Sequence, residues 1–274
     1  MNVVCVGDCG IDRYQPSGDQ AVGGITANFA RHARDQFPRS DAIRILSAVG
    51  DDAAGDLVLT SLDIPGLDLD IEVHPGRTPV QTIEVQPDGE RLFVHYDAGV
   101  LADLRFTSEQ RTAIQDAGLV VAPVYLQIVG LFDELMAIEM TGTVAIDFAD
   151  FLDHPDYALL EKHIDRVDIG FFGLQAGQDL SLLHDLARDR DKVFIVTLGA
   201  AGSVALTTAD VVECAAVRAD QVVDTTGAGD AFAAGFLSRF CHGADLAEAM
   251  QHGATVAAAV VAQHGAYPSS PKGV

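Results

Sequence analysis

The chain has 274 residues, enough for one large α/β domain or two small ones. Its formal net charge of −23 disfavours nucleic-acid backbones and anionic membranes as partners. No apolar run is long enough to span a bilayer, no basic segment leads into an apolar one, and Cys5, Cys9, Cys214 and Cys241 have neither zinc-site nor disulfide-framework spacing, so a reducing cytoplasm is the expected setting. The acidic shell, mostly Asp with only three lysines, suits either a high-salt interior or plain solubility.

Residues 2–6 read as a buried strand ending at Gly7. The turn Gly7-Asp8-Cys9-Gly10-Ile11-Asp12 follows. Asp12 is either an ordinary turn acid or a sugar ligand, since one carboxylate accepts from two vicinal hydroxyls. Gly23-Gly24-Ile25-Thr26-Ala27-Asn28 opens a helix that runs to about Gln36, where Pro38 stops it. A strand is expected at 43–49, and Gly50-Asp51-Asp52 leads a helix through Leu62. Residues 80–85 and 91–96 alternate polar with apolar around a turn at 86–90, which makes a hairpin with one half-buried face. His95 and Tyr96 on its second arm either line a substrate or pack within the sheet.

Beyond Val100, strands at 119–122, 144–146, 169–172 and 193–197 alternate with helices near 131–140, 157–163 and 180–188. That alternation predicts a mainly parallel sheet with helices on both faces. Asp147, at a strand's C-terminal end, is a site candidate, because ligands of such sheets gather there. Thr197-Leu198-Gly199-Ala200-Ala201-Gly202 turns into a strand at 203–206. Asp245 suits a helix N-cap, and a small-residue helix is expected over 253–262.

The most informative run is Asp224-Thr225-Thr226-Gly227-Ala228-Gly229-Asp230-Ala231-Phe232, between a strand-like segment at 219–223 and a helix to about Phe240. Gly227 and Gly229 allow a sharp turn and a close backbone approach to a ligand. The free amides and dipole of the helix start make an anion site, with Asp230 in the first turn. A carboxylate beside an anion site makes sense when it accepts the proton of a hydroxyl attacking a phosphoryl group.

This run, together with Gly-Gly-x-x-x-Asn-x-Ala at 23–30 and Gly-Asp-x-x-x-Asp at 7–12, resembles the ribokinase-like (pfkB) carbohydrate kinases. The resemblance implies one ribokinase-like three-layer α/β/α sandwich over 1–274, with a mainly parallel central sheet and a small β-sheet lid from segments about 11–22 and 71–100. It implies an ATP-dependent phosphotransferase with Asp230 as base and the backbone of Gly227, Ala228 and Gly229 as anion hole. Asp12, Gly24 and Asn28, with His95 and Tyr96, would hold a sugar. Thr197, Gly199, Gly202, Thr226 and Gly253 would hold the nucleotide. Mg²⁺ is implied with ATP, K⁺ is a further candidate, and the lid is a candidate homodimer contact. The family's Asn-x-x-Glu metal motif is missing at 173–179, where the chain reads Gly-Leu-Gln-Ala-Gly-Gln-Asp. The metal ligands then stay open: Mg²⁺ is held mainly by ATP and water, or Asp147 is one of its ligands. Ala145-Ile146-Asp147-Phe148-Ala149-Asp150 and Gln263-His264-Gly265-Ala266 resemble the fructoselysine 6-kinase branch. The alternatives are kinases of ribose, ketohexose, ketodeoxygluconate or nucleosides, or a binding protein without turnover.

Overall fold

The computed structural model describes residues 1–85, 91–150, 157–263 and 265–266. The expected turn at 86–90 and His264 lie outside them. The described elements run β1 (Asn2–Val6), β2 (Gly10–Gln15), β3 (Gln20–Gly23), α1 (Ile25–Gln36), β4 (Ala42–Gly50), α2 (Ala53–Leu62), β5 (Leu67–His74), β6 (Val80–Val85), β7 (Arg91–Asp97), α3 (Ser108–Gln115), β8 (Leu119–Pro123), α4 (Val129–Met136), β9 (Thr143–Asp150), α5 (Tyr157–His163), β10 (Ile169–Gly173), α6 (Ser181–Arg190), β11 (Val193–Thr197), β12 (Ser203–Leu206), β13 (Val211–Cys214), α7 (Ala228–Phe240) and α8 (Leu246–Val260).

Among the described residues the large sheet has the order β13-β12-β11-β10-β9-β8-β1-β4-β5. It is parallel from β5 through β11, and β12 and β13 close it antiparallel. Its central strands are buried on both faces, which is why they read as runs of Val, Ile and Phe rather than as alternations. One apolar layer, with Leu46, Val120, Phe132 and Ile146, packs under α4. The other, with Ile45, Ala145, Phe171 and Phe236, packs under α1, α7 and α8. The architecture is the expected α/β sandwich. Cys5 and Cys9 are buried in the second layer, where desolvation pushes both thiols far above their ordinary pKa. No helix of the described residues is long and apolar enough to cross a membrane.

A second, four-stranded sheet has the order β3-β2-β6-β7. It contains the expected hairpin, β6 and β7. Residues 71–74, expected with it, instead continue β5 along the edge of the large sheet, paired to β4 through His74. The expected strand at 219–223 is also corrected. That stretch is irregular, Val222 is 68% exposed, and the amides of Val223 and Asp224 both donate to the carbonyl of Val261 instead of to a ladder.

Candidate active site

Strand order sets the site. β9, β8 and β1 are neighbours, and Pro123 sits opposite Asp147 in register. The chain leaving β1 carries Asp8, so the C-terminal ends of these strands bring Asp8 and Asp147 to one edge of the sheet. α1 and α7 pack against each other, with both N-termini at that edge.

Asp8 shapes the start of α1. Its carboxylate accepts from the amides of Ile25 (3.1 Å) and Thr26 (3.2 Å), satisfying two donors the helix cannot pair internally. Gly24 precedes the helix at φ 105°, and a Cβ there would stand 2.6 Å from the Asp8 carbonyl. Gly23 leaves room for Asp12, whose buried carboxylate a Cβ at 23 would meet at 2.3 Å. Asn28, in the next turn of α1, donates from Nδ2 to Asp230 Oδ2 at 2.8 Å, across 202 residues of chain.

Asp230 is buried in the first turn of α7. Desolvation pushes its pKa well above the ordinary carboxylate value. The nearby charge of Asp147 adds to the rise, as do those of Asp8 and Asp12, and the Asn28 hydrogen bond opposes it. Asp147 is held by its own strand end: Ala149, at φ 52°, donates its amide to Asp147 Oδ1 at 2.7 Å. Asp147 and Asp230 share the lining of a cavity of about 10 Å³, near the space that one water needs.

The loop before α7 is anchored by Asp224, which accepts from the amides of Thr226 and Gly265, both at 2.8 Å. Gly227 takes the left-handed conformation, φ 75°. The amide of Ala228 donates to the Thr225 carbonyl at 3.2 Å, which corrects the expectation that it faces an anion. A tight turn consumes that donor. Among the described residues no backbone acceptor faces the amides of Gly227, Gly229 and Asp230, which leaves them as the donors of the helix start.

Asp12, Gly24, Asn28, Asp147 and Asp230 are thus brought together. Tyr96 reaches the same region: its ring meets that of Tyr125 edge to face, 5.0 Å between centroids, and Tyr125 adjoins Asp8. His95 is exposed on β7, and strand alternation turns it away from its neighbour Tyr96. Asp8 and Tyr125 were missed by sequence reasoning. Asp8 stood inside a quoted motif without a role, and no motif marks Tyr125. Of the nucleotide set, Thr197 ends β11, two strands from β9, and Gly199 and Gly202 flank the adjoining turn at φ 57° and 100°. Thr226 lies in the Asp224 loop. Gly253 is corrected to a packing residue: it is buried in α8, where a Cβ would stand 2.8 Å from the Phe232 carbonyl of α7.

The sequence run led one to expect Asp230 at a helix start with free amides; the acids and the Asn28 amide that face it come from other elements. The family model for the pfkB carbohydrate kinases matches residues 2–146 and 172–273. The chain belongs to that family. It is a kinase that transfers a phosphoryl group from ATP to a sugar hydroxyl, and a divalent metal is implied with the nucleotide. It is 30% identical to the fructoselysine 6-kinase of Escherichia coli K12 over 268 residues, covering 96% of this chain and 98% of the relative. It is 28% identical to fructosamine kinase FrlD of Bacillus subtilis over 277 residues, covering 97% and 93%. Among solved structures, the adenosine kinase of Sinorhizobium meliloti superposes with a TM-score of 0.82 at 23% identity, covering 97% of this chain and 95% of that one. The Arabidopsis thaliana ribokinase complexed with ribose and ATP gives 0.75 at 19%, covering 96% and 93%. At these identities the two structures show the ribokinase-like fold and nothing finer.

Proposed function

We propose that this pfkB kinase phosphorylates a sugar-amine of the fructoselysine type, with Asp230 as general base. The carrying observation is the placement of the buried Asp230 carboxylate beside the unpaired amides of Gly227 and Gly229 and within 2.8 Å of Asn28. The acceptor lies on the Asp12 and Asn28 side, its reacting hydroxyl against Asp230. Asp230 takes the hydroxyl proton as the oxygen bonds to the γ-phosphorus and the bond to ADP breaks. The amides of Gly227 and Gly229 stabilise charge on the transferred group, a contribution worth about 3–4 kcal/mol per donor in comparable sites. The acids Asp8, Asp12 and Asp147 give the acceptor side a negative field that favours an amine-bearing sugar over a neutral one. The near-full-length relatives named for fructoselysine and fructosamine support the same choice.

Among the described residues no three His, Cys, Asp or Glu side chains form a metal cage. A divalent cation that arrives with the nucleotide phosphates would be held mainly by them, with Asp147 as the nearest candidate ligand at the strand end. It would neutralise phosphate charge and offset the repulsion between Asp147 and Asp230. We place the reaction in the cytoplasm and a dimer contact on the small sheet, whose edge strand β7 exposes Leu92, Phe93 and Val94. Thr197, Gly199, Gly202 and Thr226 are proposed to serve the nucleotide.

The test is ADP release with Mg²⁺ and ATP against fructoselysine, ribose, fructose, ketodeoxygluconate and adenosine, in K⁺ and in Na⁺. Fructoselysine is expected to stimulate most. Preferential stimulation by ribose or adenosine would overturn the substrate assignment.

A further inference from the structure

Asn28 has one side-chain donor group and one acceptor, and the structure commits them differently. Nδ2 donates to Asp230 Oδ2 at 2.8 Å in a buried contact. Oδ1 is buried and has no hydrogen-bond partner. A buried amide oxygen left unpaired costs about 1–3 kcal/mol, so a fold that keeps one at an active site invites a ligand donor. The backbone does not impose this placement. The amide of Asn28 is paired normally with the Gly24 carbonyl at 2.9 Å, and an apolar side chain would continue α1 as well.

From this geometry we infer that Asn28 does more than hold a sugar: it is the positioning residue of the base, its amide N–H fixing the Asp230 carboxylate while its free oxygen faces the acceptor. Holding Oδ2 pins the rotation of the carboxylate about its own axis and leaves Oδ1 of Asp230 to take the proton. The same amide aligns the sugar against that oxygen, so one side chain sets both partners of the proton transfer. One N–H of Nδ2 is committed to Asp230, and the unpaired Oδ1 can only accept. A sugar that satisfies this oxygen must present it with a hydroxyl or ammonium donor. Neither property belongs to a residue that only binds sugar, whose loss raises KM and spares turnover.

This inference rests on the reading of Asp230 as base, and the experiment separates the two. Asn28→Ala, Asp230→Asn and the double variant are compared for kcat, acceptor KM and ATP KM, with melting temperature and ATP affinity as checks on folding. Asn28→Asp is added because it keeps the size and the accepting oxygen while removing the N–H donor. Misplacing a base by about 1 Å costs on the order of 10²-fold in rate. Both Asn28 variants should lose about that much kcat with ATP KM unchanged within about twofold, and Asn28→Ala should also raise acceptor KM. In the Asp230→Asn background the Asn28→Ala effect on kcat should shrink to within about threefold, because the group it positions is gone. A rise in acceptor KM with kcat intact, or a full kcat loss on top of Asp230→Asn, would overturn the positioning role while leaving Asp230 as base. Near-native kcat in Asp230→Asn alone would overturn the base assignment, and the inference with it.

Discussion

Gly229 has no structural reason to be glycine. It is the second residue of α7, its φ is not in the left-handed region, and a Cβ built on it meets nothing within 4 Å. Alanine in a helix is favoured over glycine by roughly 0.5–1 kcal/mol. For a chain of this size that raises the melting temperature by about 1–3 °C. The account gives Gly229 a different reason: the transferred phosphoryl group must come against its amide. A methyl in that space pushes the group outward by about 1 Å, which costs on the order of 10²-fold in rate. Gly229→Ala should therefore be slightly more stable and about a hundredfold slower. Thermal melts of the free protein and kcat at saturating ATP and acceptor read the two effects separately. A variant with native kcat would refute the placement of the phosphoryl group, and a destabilised one would refute the open space above Gly229.

Gly227→Ala should behave in the opposite way. The residue sits at φ 75°, and its Cβ would stand 2.5 Å from the Ala266 Cβ, so strain and clash together cost roughly 2–3 kcal/mol; melting should fall by roughly 5 °C or more, and an unchanged melt contradicts the loop geometry. Asp230 titrates above its unfolded value, so between the ordinary carboxylate range and the raised one the native state binds a proton that the unfolded state lacks, and stability falls as pH rises through that window. Asp230→Asn should accordingly melt higher than the native chain at pH 8, with the gain vanishing near pH 4; a lower melt at pH 8 speaks against a buried charge. Asp147→Asn removes a like charge from beside the base, so the acidic limb of kcat/KM should move to lower pH, and a limb that stays or rises excludes that coupling.

The two ends of the site were legible because each is a local motif. Gly23, Gly24 and Asn28 announce a helix entry, and Gly227 to Asp230 another. That these two helix starts meet was not legible from the residues themselves, since nothing in the chain between Asn28 and Asp230, 202 positions apart, states that α1 packs on α7. β5 was missed because Asp68, Asp70 and Glu72 interrupt its apolar residues along a sheet edge, and its last residues, 71–74, were grouped with the small sheet. Residues 219–223 were mistaken for a strand because Val222 and Val223 form an apolar pair, although Val222 is exposed. The Ala228 amide and Gly253 failed for a shared reason. A family's role was carried to the position, while a turn hydrogen bond in one case and a helix crossing in the other had already claimed it. Asp8 works through backbone amides of α1, a task that leaves no spacing signature.

The most direct test of the account is a rapid-quench single turnover of γ-labelled ATP with fructoselysine, run on the native chain and on Asp230→Asn, with ATP affinity measured for both. The account predicts labelled sugar phosphate from the native chain and a loss of about 10²–10⁴-fold in the variant at unchanged ATP affinity. Transfer within about tenfold of native by Asp230→Asn would contradict the assignment of Asp230 as the base.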